Sequence, residues 1–122
     1  MDASLNNVKA VFLDLDGTIY LGSDLIDGAL DFLKRCDEQG VKRFFLSNNS
    51  SRSVSQYVEK LHNLNIPCTS DDVLLSTHDL LSWLKKENVS RTWAIATKGM
   101  CEMMEEQGIT TRDNDPEYVV LG

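Results

Sequence analysis

Phe12-Leu13-Asp14-Leu15-Asp16-Gly17-Thr18 decides the fold, because it joins the end of an apolar run to two acids and a glycine. Val8 to Leu13 reads as a β-strand with apolar residues on both faces, the pattern of a parallel sheet covered on two sides. Asp14 follows that strand directly, at the C-terminal edge where open α/β sheets bind their ligands. Asp16 lies two residues on, so the two carboxylates repel unless a cation sits beside them or one stays protonated. Gly17 permits the positive φ that turns the chain around this position.

Outward from this stretch the pattern alternates. Ala29, Phe32, Leu33 and Cys36 fall at helical spacing, with Asp27 as the expected N-cap and Gly40 closing the C-terminus. Val41 to Leu46 reads as a second strand. Val54, Tyr57, Val58, Leu61 and Leu64 mark a second helix that ends near Ile66-Pro67. Ser76-Thr77-His78-Asp79 is a capping signature ahead of Leu80, Leu81 and Leu84, so a third helix should begin there. Trp93 to Thr97 reads as a further strand, Met100, Met103 and Met104 as a helix closed by Gly108, and Asn114-Asp115-Pro116 as a turn into a last strand, Tyr118 to Leu121. The class is α/β. A final strand with no helix after it has the look of a cut chain.

Composition narrows the function. The 122 residues carry 12 Lys and Arg against 19 Asp and Glu, a net charge of −7, with 42% hydrophobic residues. That is one domain's worth of globular chain. The longest apolar runs are four residues, far short of the roughly 20 a membrane helix needs. Met1 to Asn7 has neither the cationic start nor the apolar stretch of a secretory signal, so a cytoplasmic address is expected. Cys36, Cys68 and Cys101 are odd in number and lack zinc spacing, which suits reduced thiols. Binding to nucleic acid needs a basic stripe that the sequence does not have. A small phosphorylated substrate remains open, provided a cation supplies positive charge.

Phe44-Phe45-Leu46-Ser47-Asn48-Asn49-Ser50 supplies the second constellation. A hydroxyl and two amides at a strand end make a cradle of neutral donors for an anion. Both constellations end successive strands and should face one crevice, with donors opposite a metal-seeking acid pair.

Asp14-Leu15-Asp16-Gly17-Thr18-Ile19-Tyr20 followed by Ser47-Asn48-Asn49-Ser50 resembles the first two motifs of the haloacid dehalogenase superfamily. The Ile-Tyr-Leu-Gly continuation is similar to its NagD-like, or 4-nitrophenylphosphatase-like, group. The likeness extends through Leu75-Ser76-Thr77, Thr97-Lys98-Gly99-Met100 and Pro116 to Gly122. It implies a Rossmann-like parallel sheet core with helices on both faces, residues 1–76 forming its first half, and an inserted α/β cap beginning at residues 77–122. It implies that Asp14 attacks phosphorus and that Asp16 protonates the leaving oxygen and later activates water. Mg²⁺ would be held by the Asp14 carboxylate and the Asp16 carbonyl, and the phosphate by Ser47 with Asn48, Asn49 and Gly17. The expected partner is a small phosphorylated metabolite, with no nucleic acid, no membrane and a homo-oligomer formed through the cap. The family's later lysine and Gly-Asp motif have no counterpart here. Lys98 suits a cap loop, Asp113 and Asp115 a turn, and the 122 residues alone should turn over negligibly.

Plainer readings compete. The acids could be a solvated loop, although an EF-hand alignment puts Phe12 first and Ser23 twelfth and so fails. Ser47 to Asn49 could cap the next helix. His62 and His78 suit structural roles, the three methionines, Trp83 and Trp93 suit packing, and Glu102 to Glu106 suits a solvated helix face. Functional alternatives are a phosphotransferase or mutase, and a non-catalytic phosphate-binding, metal-binding or receiver-like module.

Overall fold

Two parallel βα units lead the chain. A computed structural model describes residues 6–122, and the expectation for Met1 to Leu5 lies outside them. Strand β1 (Ala10–Asp14) is followed by a small antiparallel hairpin of β2 (Tyr20–Leu21) and β3 (Asp24–Leu25), then helix α1 (Ala29–Glu38). Strand β4 (Lys42–Ser47), helix α2 (Val54–Asn63), a 3₁₀ turn (Ser70–Asp72), strand β5 (Val73–Leu75) and helix α3 (Ser76–Lys86) complete the first part. Strand β6 (Thr92–Ile95), helix α4 (Lys98–Glu106) and strand β7 (Tyr118–Leu121) follow. The chain is thus α/β, with a parallel three-stranded sheet in the order β1-β4-β5 and a parallel pair β6-β7.

Alternation along the strands sorts the side chains. Phe45, Ser47, Val73 and Leu75 are buried on one face, against Leu33 of α1 and Tyr57 and Leu61 of α2. On the other face Phe12 and Phe44 stack at 5.2 Å between centroids, and Phe12 stays 61% exposed, with Leu74 also exposed on β5. The apolar character of both faces of β1 is therefore real, and within the described residues helices cover one of them.

A second cluster joins Leu84, Val89, Ala94, Met100, Met104, Ile109 and Val120, while Met103 of the same helix belongs to the first cluster. The methionine stripe packs as expected, and α4 ties the two clusters together. Trp83 and Trp93 depart from expectation. Both are more than a third exposed, Trp83 edge-on to Tyr118 and Trp93 below the Arg112 guanidinium, because each lies on an outward position of its element.

Three helix starts differ from the sequence reading in detail. At α1 the N-cap is Gly28, at φ +85°, rather than Asp27, since that backbone turn suits glycine. At α3 the helix begins where the signature put it, but His78 Nδ1, not Asp79, accepts the Leu75 N–H at 2.9 Å. Helix α2 is capped by Ser53, whose Oγ accepts the Gln56 N–H while Gln56 Oε1 accepts the Ser53 N–H at 2.8 Å. The triplet Ser47-Asn48-Asn49 is therefore not the cap of that helix.

Candidate active site

The register of the sheet governs the geometry. Asp14 pairs with Leu46, so the acid at the end of β1 and the hydroxyl at the end of β4 stand one residue apart on adjacent strands. Neighbouring strands lie about 4.8 Å apart, and both residues sit on the C-terminal edge. Leu15, wholly buried, anchors the turn that follows: its N–H donates to Leu46 and its carbonyl accepts from Thr18 and Ile19. Gly17 takes φ +82° and donates its N–H to Tyr20 at 2.8 Å, which folds the loop back and leaves Asp16 in a lone bridge with Tyr20. This turn leaves Asp14 and Asp16 exposed, and neither carboxylate takes part in a hydrogen bond or ion pair among the described residues.

The second strand end is built the opposite way. Ser47 is 4% exposed, and its Oγ lies 2.9 Å from the Tyr57 hydroxyl and accepts the Asn49 N–H at 3.1 Å. Asn49 Oδ1 accepts the Ser51 N–H at 2.9 Å, so that side chain holds the loop. Asn48 is exposed, and its carbonyl accepts from Ser76 Oγ at 3.3 Å, linking the loop to the start of α3.

Four further residues belong to the neighbourhood of these two strand ends and carried no signal as site residues. Tyr20 is fully buried with an unpartnered hydroxyl, and its pKa is pushed up, chiefly by burial and then by the Asp16 carboxylate. Lys60 Nζ lies 3.8 Å over the Tyr20 ring, its pKa lowered by burial and by nearby Arg52 while Asp16 opposes the shift. Tyr57 fits the helical apolar spacing and looks like core until its hydroxyl is seen on Ser47. Arg52, in the loop between Asn49 and α2, pulls the pKa of both Tyr20 and Lys60 downward by its charge.

Residues set aside in the sequence stay aside. Lys98 pairs with Glu102, Asp115 with Arg91, and Asp113 accepts from the Asp115 N–H in the turn before β7. His62 Nε2 contacts the Cys68 carbonyl at 2.8 Å, and the three cysteines are free thiols. Among the described residues no three His, Cys, Asp or Glu side chains gather as a metal cluster, and no helix is long and apolar enough to cross a membrane. The acid pair fits a Mg²⁺ ion nevertheless: its carboxylates are hard oxygen donors without protein partners, and Mg²⁺ needs only one or two of these while keeping waters.

Known proteins resemble this chain over nearly its whole length. The chain is 31% identical over 121 residues to the 5'-nucleotidase YutF of Bacillus subtilis, an alignment that takes in 97% of this chain and 46% of that protein. It is 29% identical to an acid sugar phosphatase of Staphylococcus saprophyticus, with the same coverage. The crystal structure of a 4-nitrophenylphosphatase from Thermotoga maritima superposes with a TM-score of 0.89 at 32% identity, over 97% of this chain and 46% of that one. A glycerol phosphate phosphatase from Mycobacterium tuberculosis, solved in complex with magnesium, shares the fold at 23% identity and a TM-score of 0.82, over 94% of this chain and 36% of its own. The chain thus spans about half the length of the curated relatives it matches. The pattern of the haloacid dehalogenase-like hydrolases matches residues 11–110, and the chain belongs to that family.

Proposed function

We propose that the intact protein is a Mg²⁺-dependent, cytoplasmic phosphomonoesterase acting on a small phosphorylated metabolite through an aspartyl phosphate on Asp14. The observation that carries the reading is the pairing of Asp14 with Leu46, which brings an unpartnered carboxylate and Ser47 to the same C-terminal sheet edge on adjacent strands. The phosphatases among the relatives support the same reaction class.

Asp14 is the nucleophile: its carboxylate oxygen forms the bond to phosphorus as the ester oxygen leaves. Asp16 gives that oxygen its proton, then takes one from the water that cleaves the acyl phosphate. Ser47 donates to a phosphoryl oxygen, with the amide groups of Asn48 and Asn49 and the turn at Gly17 completing the cradle. The Asp14 carboxylate and the Asp16 carbonyl are the donors for Mg²⁺, which supplies positive charge against the transferring group. Residues 77–122 form the beginning of the cap that covers the crevice, and the cap is the proposed contact between copies.

The test is phosphate release by the intact protein from a panel of phosphomonoesters. Asp14→Asn and Asp16→Asn should each lower it by several orders of magnitude, and retained release in Asp14→Asn overturns the proposal.

A further inference from the structure

We propose that Tyr57 is a positioning residue that dictates which way the Ser47 hydroxyl donates; the proposal rests on Ser47 belonging to the phosphate cradle. Ser47 has one O–H to give and two lone pairs to fill. One lone pair takes the Asn49 N–H at 3.1 Å. The remaining contact is the Tyr57 hydroxyl at 2.9 Å, between two buried side chains.

That contact can run in two directions. With Ser47 donating to Tyr57, the phenol passes its own proton to the Asn49 carbonyl at 3.5 Å, the chain closes on itself, and an incoming anion meets only lone pairs. With Tyr57 donating to Ser47, both Ser47 lone pairs are filled and its proton has to leave the pair. A phosphoryl oxygen only accepts, so it selects the second direction. The 3.5 Å link is at the limit of a hydrogen bond, which makes the self-closed arrangement the weaker one to give up. No covalent bond changes; two hydroxyls rotate. The phenol itself is held still, packed in the core at 1% exposure on a helix fixed by its capping box.

The experiment measures inorganic phosphate as a competitive inhibitor of the intact protein, together with KM and kcat, for Tyr57→Phe, Ser47→Ala and the double variant. Tyr57→Phe should raise both the inhibition constant and KM roughly fivefold, the size of one ordinary hydrogen bond, with kcat within about twofold. Ser47→Ala should raise them further, and adding Tyr57→Phe should then change nothing. An unchanged constant in Tyr57→Phe while Ser47→Ala weakens phosphate overturns the proposal and leaves the cradle standing, as does additivity in the double variant. An unchanged constant in Ser47→Ala removes Ser47 from the cradle and takes the proposal with it. Should Tyr57→Phe melt out of its fold, fluorotyrosine at position 57 alone keeps the ring and donates more strongly at neutral pH. It should tighten phosphate, and an equal or weaker constant overturns the proposal.

Discussion

Gly99→Ala tests how α4 is seated on the first turn of α2, and the structure sets the magnitude. A Cβ on Gly99 would come 2.5 Å from Gln56 Oε1 and 2.9 Å from the Ser53 backbone nitrogen. Gln56 cannot simply swing aside, because the same oxygen accepts the Ser53 N–H at 2.8 Å. Moving it gives up half of the capping box, about 1 kcal/mol. Forcing the helices apart costs a further 1–3 kcal/mol or so, as overpacking does elsewhere. Against this, alanine gains about 1 kcal/mol over glycine within a helix. The sum is a loss of about 1–3 kcal/mol. It is read from denaturant unfolding of the intact protein, as a lower midpoint at an unchanged slope. Gln56→Ala in the same chain should recover part of the loss, leaving the clash with the Ser53 nitrogen. A Gly99→Ala protein as stable as the parent, or more stable, refutes the close approach of the two helices.

Other outcomes follow from single atoms. Tyr20→Phe removes a buried hydroxyl that has no partner, so at pH 7 it should be neutral or stabilising by up to about 1 kcal/mol, measured by thermal melting. Because burial raises that phenol above its ordinary pKa of 10.0, the parent loses stability as pH climbs past 10, where the unfolded chain ionises first; Tyr20→Phe should show a shallower alkaline decline. Gly17→Ala places a Cβ at φ +82°, which costs about 1 kcal/mol or more and should lower phosphate release by displacing Asp16, whereas Thr18→Ala should leave the turn intact.

How far the sequence could be read depended on the range of each interaction. Asp14, Asp16 and Gly17 lie within four residues, and a buried strand leading into them fixes their place at a sheet edge, so the first constellation was visible locally. Ser47 was visible for the same reason at the end of β4. Strand β5 was not: its three residues are too few for a period, and its pairing with β4 comes from the sheet. The hairpin of β2 and β3 has two residues per strand and is held by the return of Gly17 to Tyr20 and of Ile26 to Ile19. Tyr57 was read by its ring, which suits the core. Its hydroxyl meets a strand end ten residues earlier, a contact no helical spacing encodes. Tyr20 and Lys60 come together in the same way, across 40 residues of chain.

The central claim is that Asp14 carries the phosphoryl group between substrate and water. Rapid acid quench of the intact protein during turnover of a labelled phosphomonoester, followed by peptide mapping, tests it directly. The account predicts label on the peptide that holds Asp14, accumulating when Asp16→Asn slows the second step. Turnover with label on another residue, or undiminished turnover in Asp14→Asn, contradicts it.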